Sequence, residues 1–547
     1  MPSYSQPLPV RSSPSPRVRA MRTVPRCRAL LVTLALVLSA AGQAGAAWNV
    51  TTETIARITY GATNNAAIWG YHQPIVVRSG QRVYCALLEP HGEGMAQHWS
   101  LYERGPEGWQ RRWSSPQAGL LNQPPSIVAD GQGYVHAFAW PEGVFTRWRF
   151  AVGTPDEPRR DRPVSPYDDL YPYAGAAVNA AGELLAVASY WSQNLYSVQL
   201  SGAPRWQNGV VAYHPKRPDS PSGYDRQAYP FVAFHGRAAH VFTTQDIADA
   251  EKIAAGAGFT YSFRNLHYFY TPEILAQPFA RLLVIDVEPS RGCVHNDDLL
   301  IDRQGNVHLL YQYMVHEGDW SDVRTVHAFG PPGGPLQHVE LGAPGAFNSG
   351  RLWEDADGRL YGVLPRYTTL HVALLAADGG LAAEPENLGI ESTGWGYYGR
   401  FFLCAARASA EGAPWLEGMY SVQFSPTESE ARYFRAEPVP PTAVTDPPAA
   451  TESAARLRLQ APRPNPFNEG TALSFSVPAG IPAELAILDL LGRPVRRVRL
   501  GTTAAAAGGQ YAWDGTDAAG RPVASGVYVA RLVAGAECRV QKVLYLR

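Results

Sequence analysis

The chain has 547 residues, 46 % hydrophobic, 11 % aromatic and 17 % charged, a composition that excludes a disordered or collagen-like protein and a length that exceeds one core. Glycine (51) and proline (46) are plentiful, and past the N-terminus no apolar run approaches a membrane span, which favours a turn-rich all-β body over helical bundles or transporters. The net charge of −1 includes six arginines between positions 11 and 28; without them 41 basic residues face 48 acidic ones, and an acidic body without basic tracts excludes nucleic acid or anionic membrane as the expected partner.

In chain order, the first element is a targeting segment. Arg22, Arg26 and Arg28 form a basic region after Met21, Ala29 to Ala40 is an apolar stretch too short to span a bilayer, and Ala44-Gly45-Ala46 fits the small-x-small cleavage rule. Residues 1–46 are therefore expected to be a signal peptide, with a possible start at Met21, and the mature chain to be secreted. Lysine occurs only at Lys216, Lys252 and Lys542, so almost every cation is an arginine, a planar donor suited to carboxylate or sulfate where several converge. Cys85, Cys293, Cys404 and Cys538 are too dispersed for a metal or redox motif and are read as buried thiols rather than a disulfide framework.

The body repeats. A short strand, a turn with glycine and a second strand recur in 75–88, 126–140, 176–190, 231–244, 299–313, 351–365 and 402–419, with turn glycines Gly80, Gly133, Gly182, Gly236, Gly305, Gly358 and Gly412. Seven units of about 50 residues, each unable to bury both faces of its own sheet, predict a seven-bladed β-propeller over residues 50–435. The longest interval, between Gly236 and Gly305, contains IADAEKIAAGAG (247–258) and should hold an inserted loop or short helix. His136, His240, His308, Tyr84 and Tyr361 share one early place in the second strands and read as packing residues. Glu354 to Gly358 lacks the full calcium-loop pattern and reads as a turn. No metal or cofactor is expected.

The D-x-x-G-x-V-H hairpins, together with Gln73-Pro74, Gln123-Pro124, Tyr171-Pro172 and Tyr229-Pro230, resemble the sialidase-like propeller superfamily with its BNR-type repeats. Within it, the resemblance is closest to the repeat proteins that include some polysaccharide lyases. Neither a clean Asp-box nor an Arg-Ile-Pro motif is present, which disfavours a true sialidase.

Residues 436–455 are rich in proline and threonine and read as an extended linker. From 456 to 547, six short strand-like runs predict a small β-sandwich. Pro464-Asn465-Pro466-Phe467-Asn468, LLGRPVRRVRL (490–500), Trp513-Asp514-Gly515 and Gly520 to Tyr528 are similar to the immunoglobulin-like domain of flagellar hook-capping proteins and to the sorting domains of type IX secretion. That resemblance implies export through a secretion machinery and an extracellular or outer-membrane-surface location. Trp513 and Tyr528 are expected in the sandwich core.

In a propeller, residues before the first strand and after the second strand of each unit share the face that opens on the axis. On that face fall His72, Tyr171, Tyr173, Arg226, Tyr229, His295, Asn296, Asp297, Asn348, Arg351 and Arg400 before first strands, and Trp140, Trp191, Asp246, Tyr313, His316 and Glu317 after second strands. Aromatic platforms with arginine forks suit an acidic sugar. His295, Tyr229 and Asp297 are the candidate catalytic residues; Arg226, Arg351, Arg400, Tyr171, Asn296 and Asn348 are the candidate substrate contacts. Two function classes follow: a propeller that binds a glycan or surface protein, or a polysaccharide lyase or glycosidase on an acidic polysaccharide. In the second, Tyr229 or His295 moves a proton and the arginines neutralise a carboxylate. Convergence of an arginine, a tyrosine and a histidine or carboxylate on one point separates the classes, because a binder does not need it. Limited proteolysis should cut first within 436–455; first cleavage inside a propeller unit, with the two modules still joined, would contradict the linker.

Overall fold

A computed structural model of the chain describes residues 48–438 and 457–546, apart from 60–71, 73, 91–96, 117–122, 141–144, 155–156, 162–172, 204, 258–259, 393–400, 405–414, 426–427, 461, 463, 469, 478–480, 490–492, 502–506, 519 and 535–536. The signal-peptide segment, residues 439–455 of the expected linker, Tyr171, Arg400 and Gly412 lie outside the described residues; the expected linker start at 436 is corrected, because Ala436 to Pro438 complete the strand Glu428–Pro438 through pairing with Trp48 to Val50. The chain forms two compact units that divide between Pro441 and Thr442.

The first unit is a seven-bladed propeller of four-stranded antiparallel sheets. Its innermost strands are Val76–Ser79, Ser126–Ala129, Tyr173–Val178, Gln227–His235, Cys293–Ile301, Arg351–Glu354 and Phe401–Leu403. They pack in sequence around the axis, and the seventh meets the first. Blade 7 takes its outermost strand from the other end of the chain: Trp48–Thr59 pairs along Glu428–Pro438, with Thr51 opposite Arg435. The apolar residues that close the ring come from three places, Ile55 and Ile58 on that strand, Val76, Val83 and Cys85 on blade 1, and Phe402, Cys404, Met419 and Tyr433 on blade 7. Cys85 and Cys404 share this cluster as free, buried thiols.

The repeat motif has a local physical cause. The predicted turn glycines from Gly80 to Gly358 all have left-handed backbone, φ +56° to +95°, where a Cβ would be strained. An aspartate three residues ahead of the glycine closes three of these turns. Asp130 Oδ1 accepts from the amides of Gln132 (2.8 Å) and Tyr134 (3.0 Å) while Oδ2 meets His136 Nε2 at 3.0 Å. Asp302 does the same with Asn306 N (2.7 Å) and His308 Nε2 (3.1 Å). Asp355 accepts from the amides of Asp357 and Arg359, both at 2.9 Å. His136 and His308 are therefore buried turn supports, while buried His240 instead meets the Tyr268 hydroxyl at 2.7 Å; all three pack inside the blades, as their shared place in the repeat predicts. The long interval holds the helix Ala250–Ala254, capped by Asp249, above a two-stranded ribbon of Ile247–Ala248 and Tyr261–Ser262.

The second unit is a sandwich of two sheets, one of Arg458–Leu459, Thr471–Val477 and Ala507–Trp513, the other of Pro494–Gly501, Ala483–Leu488, Gly526–Ala534 and Glu537–Tyr545. Trp513 is fully buried, packs edge-on to Tyr528 at 5.2 Å and donates its indole N–H to Thr516 O at 2.8 Å. The Pro-Asn-Pro-Phe motif ties the entering chain to the last strand through Asn465 Nδ2 to Lys542 O (2.9 Å) and Leu544 N to Asn465 Oδ1 (2.7 Å).

Blades 1 and 7 are also joined by an ion pair. The Arg78 guanidinium grips Glu417 with two hydrogen bonds, one from Nη2 to Oε2 at 2.6 Å, and Tyr433 donates to the same carboxylate at 2.5 Å. Removing one partner strands the other charge in the interior. Glu417→Ala is expected to lower stability by about 3–5 kcal/mol, whereas Arg521→Ala, at an exposed pair, should change it by less than about 1 kcal/mol. The double variant Arg78→Met/Glu417→Met should cost less than the sum of its single variants; denaturant unfolding measures all five.

Candidate functional site

The inner strands all begin on one face, and there the strand of blade 4 departs from regular pairing. Its ladder with the second strand shifts between Ala228 and Phe231, a bulge containing Tyr229 and Pro230 that re-aims the tyrosine. Tyr229 has φ +53°, a strained backbone for a bulky residue. Blade 3 makes room: a Cβ on Gly175 would meet Pro230 O at 2.1 Å, so only glycine lets the bulge approach. Blade 5 holds it from behind. Asn296 is fully buried and donates to Tyr229 O (2.8 Å) and Phe242 O (3.0 Å), while its own oxygen accepts from Thr244 Oγ1 at 2.5 Å.

The bulge stacks Tyr229 on Tyr173 at 4.1 Å between ring centroids, and its hydroxyl donates to that of Tyr173 at 3.0 Å. His72, entering blade 1, sets its ring edge-on to both, 5.6 Å from Tyr173 and 5.4 Å from Tyr229. Arg226 lies between Tyr173 (5.0 Å) and Trp191 (4.3 Å) and pairs with Asp246 at 3.5 Å. The aromatic path continues from Tyr229 to Phe263 at 6.0 Å and from Phe263 to His295 at 5.3 Å. Burial pushes the Tyr173 phenol up to about 12, with the Asp246 carboxylate adding to it, so its hydroxyl stays protonated and keeps a proton to donate while it accepts from Tyr229. Burial likewise pushes the Asp246 carboxyl up, against the pull of Arg226.

The remaining sequence candidates take other places. Arg351 reaches the axis, where its guanidinium lies 5.7 Å from the rings of Phe231 and Phe402 and donates to the carbonyls of Asp297 and Gly350. Asp297 is buried beside it, its carboxyl pushed well up by burial. Arg351 and Asp297 thus fill the axis beneath the aromatic cluster, and Asn296 supports the cluster from behind. Asn348 sits on blade 6, donating to Tyr367 O at 3.1 Å. His295 is half-buried with Cys293 Sγ 3.6 Å from its Nε2.

Sequence reasoning missed Phe263, Lys252 and Arg264, all in or beside the blade 4 insertion. The unusual interval length is the signal that marks them. Lys252 and Arg264, with Asp249, Ser290, Arg291, His316 and Glu317, line an open cleft of about 580 Å³. Lys252 Nζ donates to Tyr261 O at 2.6 Å, and Arg264 Nη2 pairs with Glu317 at 3.0 Å. Among the described residues no helix is long and apolar enough to cross a membrane.

Fold and site together define a seven-bladed β-propeller with an aromatic, arginine-bearing axial face, followed by an immunoglobulin-like module. Residues 464–537 match the family model of the FlgD Ig-like domain. No curated protein matches the chain in sequence. Among solved structures, a PL25 ulvan lyase bound to a glucuronate–sulfated rhamnose unit is 11 % identical with a TM-score of 0.49, covering 68 % of this chain and 94 % of its own. The polysaccharide lyase Uly1 is 9 % identical with a TM-score of 0.46, covering 69 % and 92 %. PorZ, a surface component of the type IX secretion system of Porphyromonas gingivalis, is 13 % identical with a TM-score of 0.36, covering 89 % of this chain and 60 % of its own.

One histidine links the site to pH. His214 Nδ1 lies 2.9 Å from Trp191 O and its Nε2 accepts from Gln227 N at 3.4 Å, which requires the neutral ring with its proton on Nδ1. Burial lowers its pKa from 6.5 to about 4, and lowers those of His240 and His267 to about 3. The unfolded chain then binds more protons below pH 6.5, so stability is complete above that value and is lost as pH falls towards the folded pKa. The thermal midpoint should fall steadily from pH 6.5 to 4, with His214 alone accounting for on the order of 3 kcal/mol. His214→Gln should flatten that limb; a midpoint constant from pH 8 to 4 would contradict the assignment.

Proposed function

We propose that the protein is a secreted or surface-borne propeller whose axial face binds an acidic glycan, and that the Ig-like C-terminal module serves its export or attachment. The observation that carries this reading is the meeting of Tyr173, Tyr229, His72 and Arg226 from blades 1, 3 and 4 at one place, prolonged by Phe263 and His295. Aromatic faces suit the C–H faces of sugar rings, and a guanidinium held between two rings suits a carboxylate or sulfate. The paired Asp246 keeps Arg226 in place before a ligand arrives, which lowers the ordering cost of binding.

The same convergence favours a second reading, a polysaccharide lyase. Arg226 would neutralise a uronate carboxylate, His72 or His295 would take the proton beside it, and the protonated Tyr173 or Tyr229 hydroxyl would deliver one to the departing glycosidic oxygen. A glycan array combined with ultraviolet detection of unsaturated product from uronate polymers tests both readings. Binding without product supports the binder; product lost in Tyr173→Phe and His72→Ala, with binding retained, supports the lyase. In either case Arg226→Ala should weaken binding by on the order of 2–5 kcal/mol, and a wild-type protein that retains no acidic glycan would sink both.

A further inference from the structure

Besides Gly105 to Gly108, whose first turn residue is Pro106, three described hairpins of the propeller close with two turn residues between paired neighbours: Ser79 to Arg82, His235 to Ala238 and Arg366 to Thr369. The first turn residue has the same left-handed backbone in each, φ +56° at Gly80, +58° at Gly236 and +55° at Tyr367. This is the position where such turns prefer glycine. A Cβ on Gly80 or Gly236 would touch nothing within 4 Å, so torsion rather than space selects glycine there. Tyrosine at the third turn carries that torsional strain.

Nothing in the packing offsets it. The Tyr367 residue is 71 % exposed, and its turn is held by bonds that glycine would accept equally: Asn348 Nδ2 to Tyr367 O (3.1 Å), Ser392 N to Thr368 O (2.7 Å) and Thr369 Oγ1 to Arg366 O (3.0 Å). The glycine turns lie on the hairpin face. Tyr367 lies on the axial face, as do Tyr229 and Arg291, the other described non-glycine residues with left-handed backbone. Strain without a structural return marks a functional position. Beside it the Arg366 guanidinium lies 5.3 Å from the Phe347 ring, and among the described residues it forms no ion pair. Tyr367 is also the one exposed large apolar residue among those described in blade 6. A lone ring with a cation beside it and no apolar rim suits a sugar ring better than a protein hot spot, which sits inside a desolvated patch.

We infer that Tyr367 is the platform of a second glycan subsite on blade 6, stacking a pyranose unit of the same acidic chain that occupies the Tyr173–Tyr229 cluster, with Arg366 facing its acidic group. This rests on the acidic-glycan reading. The test uses the full chain and the Tyr367→Gly and Tyr367→Phe variants on an array of acidic polymers and their trisaccharides, together with thermal melting. Tyr367→Gly should raise the melting midpoint by about 2 °C and weaken polymer binding by about tenfold, leaving trisaccharide binding at the central cluster unchanged; Tyr367→Phe should retain polymer binding. Wild-type binding with an unaltered affinity in Tyr367→Gly would overturn the subsite alone. A lower midpoint in Tyr367→Gly would also overturn it, because the ring would then be a packing residue. Absence of glycan binding by the wild type would overturn the subsite together with the reading beneath it.

Discussion

The pairing of Trp48–Thr59 with Glu428–Pro438 is the constraint on which the rest of the propeller depends. Without it blade 7 has three strands and an open edge, and blades 1 and 7 each expose one face of apolar side chains. Closure is supplied by several independent means at the same seam: a long antiparallel ladder, the shared cluster around Cys85 and Cys404, and the buried Arg78–Glu417 pair. Only in a closed ring do the starts of all inner strands converge, and the axial face exists as a surface only then.

Within that ring the central cluster is a product of three blades. The Tyr229-Pro230 bulge needs the missing side chain of Gly175 on one side and the amide of Asn296 on the other. The stacked tyrosines and the ring of His72 are therefore held by neighbours outside the cluster itself. Such support from behind is what keeps a polar constellation in register when it is surrounded by largely buried aromatic rings.

The two faces follow different local rules. On the hairpin face, glycine takes the left-handed positions and Asp130, Asp302 and Asp355 accept from their own turn amides. On the axial face, tyrosine and arginine occupy left-handed positions, and polar side chains bond across blades, as Asn296 does to Tyr229 O and Arg264 to Glu317. The asymmetry separates residues that build the repeat from residues that the repeat presents.

The sequence by itself determined the blade count, the hairpin turns, the insertion in blade 4 and the two-sheet C-terminal module, because each is written in short-range signals: a glycine at a fixed torsion, an acid two to four residues before the amides it caps, alternating apolar runs. It also placed His72, Tyr173, Arg226, Tyr229 and His295 on one face, since strand direction alone decides that. The tertiary structure decided which of them meet. Asn296, Asp297 and Arg351 begin inner strands as the others do, yet Asn296 braces a neighbouring bulge and Arg351 with Asp297 fills the axis. Phe263 joins the cluster from a loop with no repeat signature. Contacts across blades depend on the distance between strands far apart in sequence and on a one-residue bulge, and neither leaves a periodic trace in the chain.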